Sequence, residues 1–173
     1  VVHTDYAKRV IQMGESPNRV FNFGAPGLDN IKKMALLSKG EMEKQLDFKL
    51  GSDVALVTYH PVTLEKGKAG TQINALLIAL QKSGLRVIFT LPNADAENRV
   101  ITEKIKKFVA KNTGKVIFVD SLGQIKYLSL MKYVGIMVGN SSSGIIEAPS
   151  FKLPVVNIGS RQDGRIKAKN VLD

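Results

Sequence analysis

The sequence contains no cysteine among its 173 residues. Disulfide bonds and thiolate metal sites are therefore excluded, and a reducing compartment, the cytoplasm, is the expected location. No apolar run approaches the roughly 20 residues that a membrane-spanning helix needs, so no membrane association is predicted. Neither a metal nor a cofactor is expected.

The sequence also lacks any block of lysine and arginine with interleaved aromatic residues, although its formal net charge is +10. The basic residues are scattered, as in Lys32–Lys33, Lys104–Lys107 and Arg161–Lys167. Nucleic acid is therefore not the predicted partner. Solvated helix faces, a small phosphorylated ligand, or a partner that balances the charge each explain the excess.

Hydrophobic residues make up 44% of the chain, and they recur in two alternating patterns. Short β-branched runs predict strands, and apolar residues on one helical face predict helices between them. Regular alternation of the two predicts an α/β fold, a Rossmann-like parallel sheet with helices on both faces and about five units from Val54 onward. The predicted strands are Val20–Phe23, Val54–Tyr59, Arg86–Leu91, Val116–Val119, Gly135–Val138 and Val155–Ile158, and the predicted helices are Thr71–Lys82, Ala96–Lys111 and Gln124–Lys132.

The first 30 residues differ from this pattern. Asp5–Met13 predicts a helix, Gly14 and Pro17 end it, and residues 24–30 (GAPGLDN) are typical of a linker. We therefore interpret residues 1–23 as the tail of a preceding Rossmann-like domain, and residues 31–173 as a second domain truncated at its C-terminus.

Ligands of parallel sheets bind beyond the carboxyl ends of the strands, so the loops there are the candidate site. His60, in YHPVTLE, can donate to a phosphate or take a proton, or it can cap backbone groups. Asn93, in LPNADAE, can contact a ligand, while Asn93 or Asp95 can also cap the next helix. The turn from Ser121 to Gly123 could read a flat base edge.

The stretch GNSSSGIIEAPS (139–150) gives the strongest signal. Ser141, Ser142 and Ser143 present hydroxyls and N–H groups at a helix start, where anions bind. Glu147 follows Ser143 by four residues, one turn further along. A carboxylate there suits a neutral diol such as a ribose, since the spacing does not fit the alternative, a serine-glutamate capping box.

Arg161, in GSRQDGR, can bind a phosphate through two parallel hydrogen bonds. Taken together, these loops predict a nucleotide-diphosphate site. The usual phosphate-loop signatures, GxxxxGK[ST] and GxGxxG, are absent from the sequence.

YHPVTLE, LPNADA and GNSSSGIIEAPSFKLPVVNIGSRQ resemble the hydrolysing UDP-N-acetylglucosamine 2-epimerases. The resemblance covers nearly the whole chain and implies one half of a glycosyltransferase-B-type fold of two domains. It implies that a UDP-sugar binds through the residues His60, Asn93, Ser121, Ser141, Ser142, Glu147 and Arg161. His60 would also be catalytic.

The family reaction releases UDP and N-acetylmannosamine for sialic-acid-type sugar synthesis. The carboxylates that remove the proton from the sugar belong to the first domain. The resemblance therefore implies that this chain is the UDP-binding portion, inactive alone, of a protein that is a homo-oligomer when full length. Two alternatives stay open: a UDP-sugar-dependent glycosyltransferase donor domain, and an epimerase acting on a diacetamido UDP-sugar.

Overall fold

The computed structural model describes residues 1–93 and 97–173 in two compact units, Val1–Met34 and Ala35–Asp173. The first unit contains helix α1 (Thr4–Gln12), a 3-10 turn (Pro17–Arg19) and helix α2 (Gly27–Lys33). The predicted helix Asp5–Met13 is thus confirmed. The origin of residues 1–23 in a preceding domain stays a prediction.

One strand predicted in the first unit is wrong. Val20–Phe23 is not a strand, because it has no partner strand to pair with among the described residues. It bonds to the N-terminal residue instead, where the Phe23 N–H donates to the Val1 carbonyl at 3.3 Å. Within the predicted linker 24–30 the chain is helical from Gly27 onward, since that residue begins α2, and its role as a linker stays a prediction.

The second unit is built on a parallel sheet in which every paired strand runs in the same direction. Its strand order is β3-β2-β1-β4-β5-β6, which places the first strand at the centre. The strands are β1 (Val54–Thr58), β2 (Arg86–Thr90), β3 (Val116–Val119), β4 (Ile136–Gly139), β5 (Val155–Asn157) and β6 (Val171–Leu172). The five strands predicted after Val54 are confirmed within one residue at either end, whereas the two-residue β6 was not predicted.

Helices and 3-10 turns precede and connect these strands. They are α3 (Lys39–Leu46), α4 (Ala69–Ser83), α5 (Asn98–Lys111), α6 (Gly123–Tyr133), α7 (Ser143–Ile146), and 3-10 turns at Ala148–Phe151 and Ser160–Gln162. The three predicted helices are confirmed as α4, α5 and α6, although the predicted start of α5 at Ala96 lies outside the described residues. Helix α3 was missed; Ser38 and Glu41 form a capping box at its start.

Burial confirms the predicted α/β class. Every residue of β1 is buried, and successive side chains on a strand point to opposite faces, so both faces of the sheet are covered. On one face, Ala55 and Val57 pack with Ile73 and Leu76 of α4. Among the described helices, none is both long and apolar enough to cross a membrane.

The strand order reverses at β1 and β4, and ligands of such sheets bind at this point, beyond the carboxyl ends. Gly139 ends β4 there with a φ of +139°, a backbone conformation that side chains disfavour. A Cβ at this position would overlap the Thr58 carbonyl of β1. The glycine therefore allows the two strand ends, and the loops that follow them, to approach closely.

We expect Gly139→Ala to lower the free energy of unfolding by about 3 kcal/mol, because it combines overpacking with backbone strain. For a domain of this size the unfolding midpoint should fall by roughly 6–12 °C. Gly40→Ala is the matched control, since open space surrounds Gly40 near the start of α3. Thermal unfolding of both variants tests this; an unchanged midpoint for Gly139→Ala would contradict it.

Candidate functional site

A pocket of about 350 Å³ opens at the carboxyl ends of β1 to β4. Its walls come from the loops after these strands and from the start of α6. The lining residues are Thr58, His60, Thr90, Leu91, Asn93, Asp120, Ser121, Leu122, Gly123, Gln124, Tyr127, Ser141 and Ser143. A second pocket, of about 650 Å³, is lined by Val62, Thr63, Leu64, Asn93, Ser160, Arg161, Gln162, Asp163 and Arg165.

Asn140, fully buried after β4, connects three of the loops around these pockets. Its side chain accepts from the His60 N–H at 2.7 Å and donates to the His60 carbonyl at 2.8 Å. Its own carbonyl accepts from Gln162 Nε2 at 2.8 Å and from an Arg161 guanidinium nitrogen at 3.2 Å. The loops after β1, β4 and β5 are thereby fixed against one another.

His60 is buried, and its ring lies against the loop after β2. The Asn93 N–H donates to His60 Nδ1 at 2.9 Å. A ring nitrogen that accepts a hydrogen bond has no proton, so in the neutral imidazole the proton is on Nε2. His60 thus bonds backbone groups and also lines the first pocket, while its role toward a phosphate stays a prediction.

The serine loop ends in a helix of four residues, shorter than predicted. Ser142 is the residue before α7, and its side chain makes no capping hydrogen bond. The Ser143 N–H donates to Ser141 Oγ at 3.4 Å, and the two hydroxyl oxygens are 2.8 Å apart. The backbone N–H groups of Ser141 and Ser142 donate to no partner in the described part of the chain.

The serines continue into a chain of hydroxyl groups that the sequence analysis missed. Ser143 Oγ lies 2.6 Å from the phenolic oxygen of Tyr127, which lies 3.4 Å from Thr58 Oγ1. Thr58 Oγ1 lies 2.7 Å from Thr90 Oγ1. Burial raises the pKa of Tyr127, so its hydroxyl stays protonated at neutral pH. The only sequence signal was the position of each threonine at the end of a strand.

Glu147 follows α7 directly, and its N–H donates to the Ser143 carbonyl at 3.0 Å. The side chain is half-buried, and its Oε2 has no hydrogen-bond partner among the described residues. The alternative capping box is not formed, since the side chain does not return to the helix start. Burial raises the pKa of this carboxyl group. The unpartnered oxygen is thus an unused acceptor that is buried in the ligand-free protein.

The structure brings four of the predicted site residues to the first pocket: His60, Asn93, Ser121 and Ser141. Arg161 lines the second pocket, which shares Asn93 with the first. Ser142 and Glu147 line neither pocket, although both adjoin Ser143 through the fold of α7. Asp95, the other predicted helix cap, lies outside the described residues.

Asn140, Gln162 and Tyr127 are the site residues that sequence reasoning did not identify. Gln162 is buried in the 3-10 turn, and its Oε1 has no partner among the described residues. Within those residues no group of three or more histidine, aspartate or glutamate side chains could hold a metal ion. The described residues that line the two pockets supply hydroxyls, amides, the His60 imidazole, the guanidinium groups of Arg161 and Arg165, and the carboxyl groups of Asp120 and Asp163.

Comparison with known proteins gives matches that cover almost the whole chain. Residues 1–172 match a family model described as UDP-N-acetylglucosamine 2-epimerase. The chain is 44% identical to a GDP/UDP-N,N'-diacetylbacillosamine 2-epimerase (hydrolyzing) from Campylobacter jejuni, over 100% of this chain and 45% of that protein. It is 39% identical to polysialic acid biosynthesis protein P7 of Escherichia coli, over 98% of this chain and 43% of that protein.

Among solved structures, the fold matches UDP-GlcNAc 2-epimerase from Neisseria meningitidis bound to UDP-GlcNAc. The TM-score is 0.63 at 18% identity, over 97% of this chain and 46% of that one. The chain thus spans less than half the length of these proteins. This agrees with the predicted fold, one half of a glycosyltransferase-B-type architecture.

The buried carboxyl group of Glu147 predicts a pH-dependent stability. Its raised pKa means that, between the ordinary value of about 4.3 and the folded value, the folded state binds more protons than the unfolded state. Stability from this group therefore falls as pH rises through that window. We expect Glu147→Gln to unfold at higher denaturant than the parent at pH 7, and to lose this advantage below about pH 4.

Glu103→Gln is the matched control, because the hydrogen bond from Arg99 lowers the pKa of Glu103. The pKa of Glu103 is shifted in the opposite direction to that of Glu147, so Glu103→Gln should gain no stability at pH 7. Urea unfolding between pH 3.5 and 8 measures both differences. A Glu147→Gln variant that is less stable than the parent at every pH would contradict the expectation.

Proposed function

The chain belongs to the UDP-N-acetylglucosamine 2-epimerase family, and we propose that its second unit binds the UDP part of a UDP-sugar in a hydrolysing 2-epimerase. The support is a set of groups that matches the parts of UDP at the carboxyl edge of the sheet. The whole protein would release UDP and N-acetylmannosamine. The proposal does not require a metal ion or a cofactor.

In this proposal the diphosphate contacts Ser141, Ser142, His60 and Arg161. These residues supply hydroxyls, N–H groups, an imidazole N–H and a guanidinium, all of which favour an anion. Asn140 connects the loops that hold them. Asn93 contacts the nucleotide, and the turn from Ser121 to Gly123 contacts uracil.

Glu147 is the observation that supports UDP most specifically. An unpartnered carboxylate oxygen is costly to bury, and in this proposal the Glu147 side chain turns toward a ligand that supplies the missing donors. A second anion would be repelled, whereas the two hydroxyls of a ribose can both donate to one carboxylate. One turn of chain separates this group from the serine loop, as the ribose and the phosphates of a nucleotide require.

The proposed reaction is an elimination followed by a hydration. A base removes the proton at C2 of the sugar, the C1–O bond breaks with its electron pair leaving on UDP, and a 2-acetamidoglucal forms. Water then adds across the new double bond to give N-acetylmannosamine. His60 stabilises the charge that develops on the departing diphosphate through its Nε2 proton.

The base is proposed to lie outside this chain. Among the residues that the structure describes, Asp120 is the only carboxylate lining the first pocket, and no second described acid lines it. Acid-base chemistry on a sugar ordinarily requires two tuned groups. The chain would therefore bind UDP and yet be inactive alone.

The further proposals concern the whole protein. Sialic-acid-type sugar synthesis is supported by the 39% identity to the polysialic acid biosynthesis protein. A cytoplasmic location is supported by the absence of cysteine from the sequence. A homo-oligomeric state rests on the family resemblance.

A second candidate substrate is a diacetamido UDP-sugar. It is favoured by the 44% identity to the diacetylbacillosamine 2-epimerase. The proposed sugar-contacting groups lie mainly in the other domain, so the nucleotide site described above serves either substrate. Family membership favours both epimerase candidates over a glycosyltransferase donor domain.

We expect the 173-residue chain to bind UDP in a calorimetric titration, with Arg161→Ala weakening binding about 10- to 100-fold through loss of charge-assisted hydrogen bonds. Glu147→Ala should weaken binding about 10-fold. Arg99→Ala and Glu103→Ala remove the same residue types from the exposed face of α5 and should leave binding unchanged. If UDP produces neither heat nor NMR shifts in residues 139–144, the site is wrong.

We expect a longer protein that contains this chain and the preceding domain to release UDP from UDP-N-acetylglucosamine or from the diacetamido UDP-sugar. The 173-residue chain should show no turnover of either, because it lacks the proposed base. Product analysis by NMR identifies the sugar and its configuration at C2. Transfer of the intact sugar to an acceptor would instead establish the glycosyltransferase alternative.

A further inference from the structure

We propose that Tyr127 is a positioning residue whose phenolic hydroxyl aligns Ser143 and Ser141, so that Ser141 directs its proton into the pocket toward a phosphate. The inference deepens the proposed function and rests on its assignment of Ser141 to the diphosphate. Tyr127 had no place in the predicted site. It lines the first pocket from α6.

The three hydroxyls form a continuous path. The Tyr127 phenolic oxygen lies 2.6 Å from Ser143 Oγ, which lies 2.8 Å from Ser141 Oγ. Both distances are within the range of good O–H···O hydrogen bonds. Ser143 is buried, whereas Ser141 is partly exposed at the pocket wall, so the path runs from the interior to the ligand.

The direction in which the hydroxyls donate along this path decides whether Ser141 offers the pocket a hydrogen-bond donor. Each hydroxyl has one proton, so the path runs either from Tyr127 to Ser141 or the other way. Ser141 Oγ already accepts from the Ser143 N–H at 3.4 Å. If it also accepts from the Ser143 hydroxyl, both of its lone pairs are used and its own proton points away from both. In the opposite direction, Ser141 donates inward and offers the pocket no proton.

Tyrosine at the inner end favours the outward direction. A phenol is a better donor than an aliphatic hydroxyl, because its pKa is about 10. Of its other neighbours, Thr58 Oγ1 lies at 3.4 Å and is bonded more closely to Thr90 at 2.7 Å, and the Ser141 hydroxyl also interacts directly with the phenol. Burial raises the pKa of Tyr127 and keeps the proton in place. The phenol therefore donates to Ser143, and Ser143 donates to Ser141.

Tyr127→Phe tests this directly, because it removes one oxygen and keeps the ring. Isothermal titration should show UDP binding weakened about 5- to 10-fold, the effect of one lost hydrogen bond to a charged ligand. Uridine, which has no phosphate, should bind Tyr127→Phe and the parent equally. A general loss of structure would weaken both ligands, so the ratio of the two affinities isolates the phosphate contribution.

Tyr133→Phe is the matched control on the same helix, since its hydroxyl donates to the Leu37 carbonyl at 3.1 Å. It should leave both affinities unchanged. Ser143→Ala interrupts the same path at its middle and should match Tyr127→Phe in its loss of UDP affinity. In a double-mutant cycle, Tyr127→Phe should have no further effect once Ser141 is alanine.

The outcomes separate this inference from the proposed function. If Ser141→Ala weakens UDP binding while Tyr127→Phe and Ser143→Ala do not, the alignment by Tyr127 is wrong and the diphosphate site remains. Equal weakening of UDP and uridine by Tyr127→Phe would show that its effect is not on the phosphates, and would overturn the alignment. If the parent chain does not bind UDP, the proposed function and this inference both fail.

Discussion

The buried side chain of Asn140 is the contact on which the geometry of the site depends. It exchanges two hydrogen bonds with the backbone of His60, while its N–H donates to the Thr58 carbonyl at 3.2 Å. Its carbonyl accepts from the loop that contains Arg161. Each of these groups would cost about 1–3 kcal/mol if it were buried without a partner. Three loops from three strands are therefore fixed by one residue, and Gly139 allows that residue to approach β1.

Several polar groups in the loop after β4 are, by contrast, incompletely satisfied. Glu147 keeps a carboxylate oxygen without a partner, and Ser141 and Ser142 keep backbone N–H groups without one among the described residues. Such groups lower the stability of the free protein and raise its affinity for a ligand that completes them. A rigid frame around unsatisfied polar groups is the arrangement that a preorganised nucleotide site requires. The hydrogen bonds of Asn140 thus stabilise the fold, whereas the unpartnered polar groups destabilise the protein in the absence of a ligand.

The sheet was predictable because strands buried on both faces are continuous apolar runs, as Val54–Thr58 shows. The short β6 has two residues and no such run. Val20–Phe23 has the pattern but no partner strand, which no local sequence reveals. At the site, Ser141 and Glu147 were proposed from their local spacing in the sequence, although α7 contains neither of them. Tyr127 and Asn140 act through contacts with residues distant in sequence, such as the 80-residue separation between Asn140 and His60, and these depend on the folded sheet.

The most direct test of the account is a crystal structure of the chain with UDP. The account predicts phosphate oxygens within hydrogen-bonding distance of Ser141 and Arg161, ribose hydroxyls on Glu147, and the Asn140–His60 hydrogen bonds unchanged. A nucleotide bound away from the carboxyl edge of the sheet would contradict it. So would a complex in which Glu147 turns away from the ribose or the Asn140–His60 pair is broken.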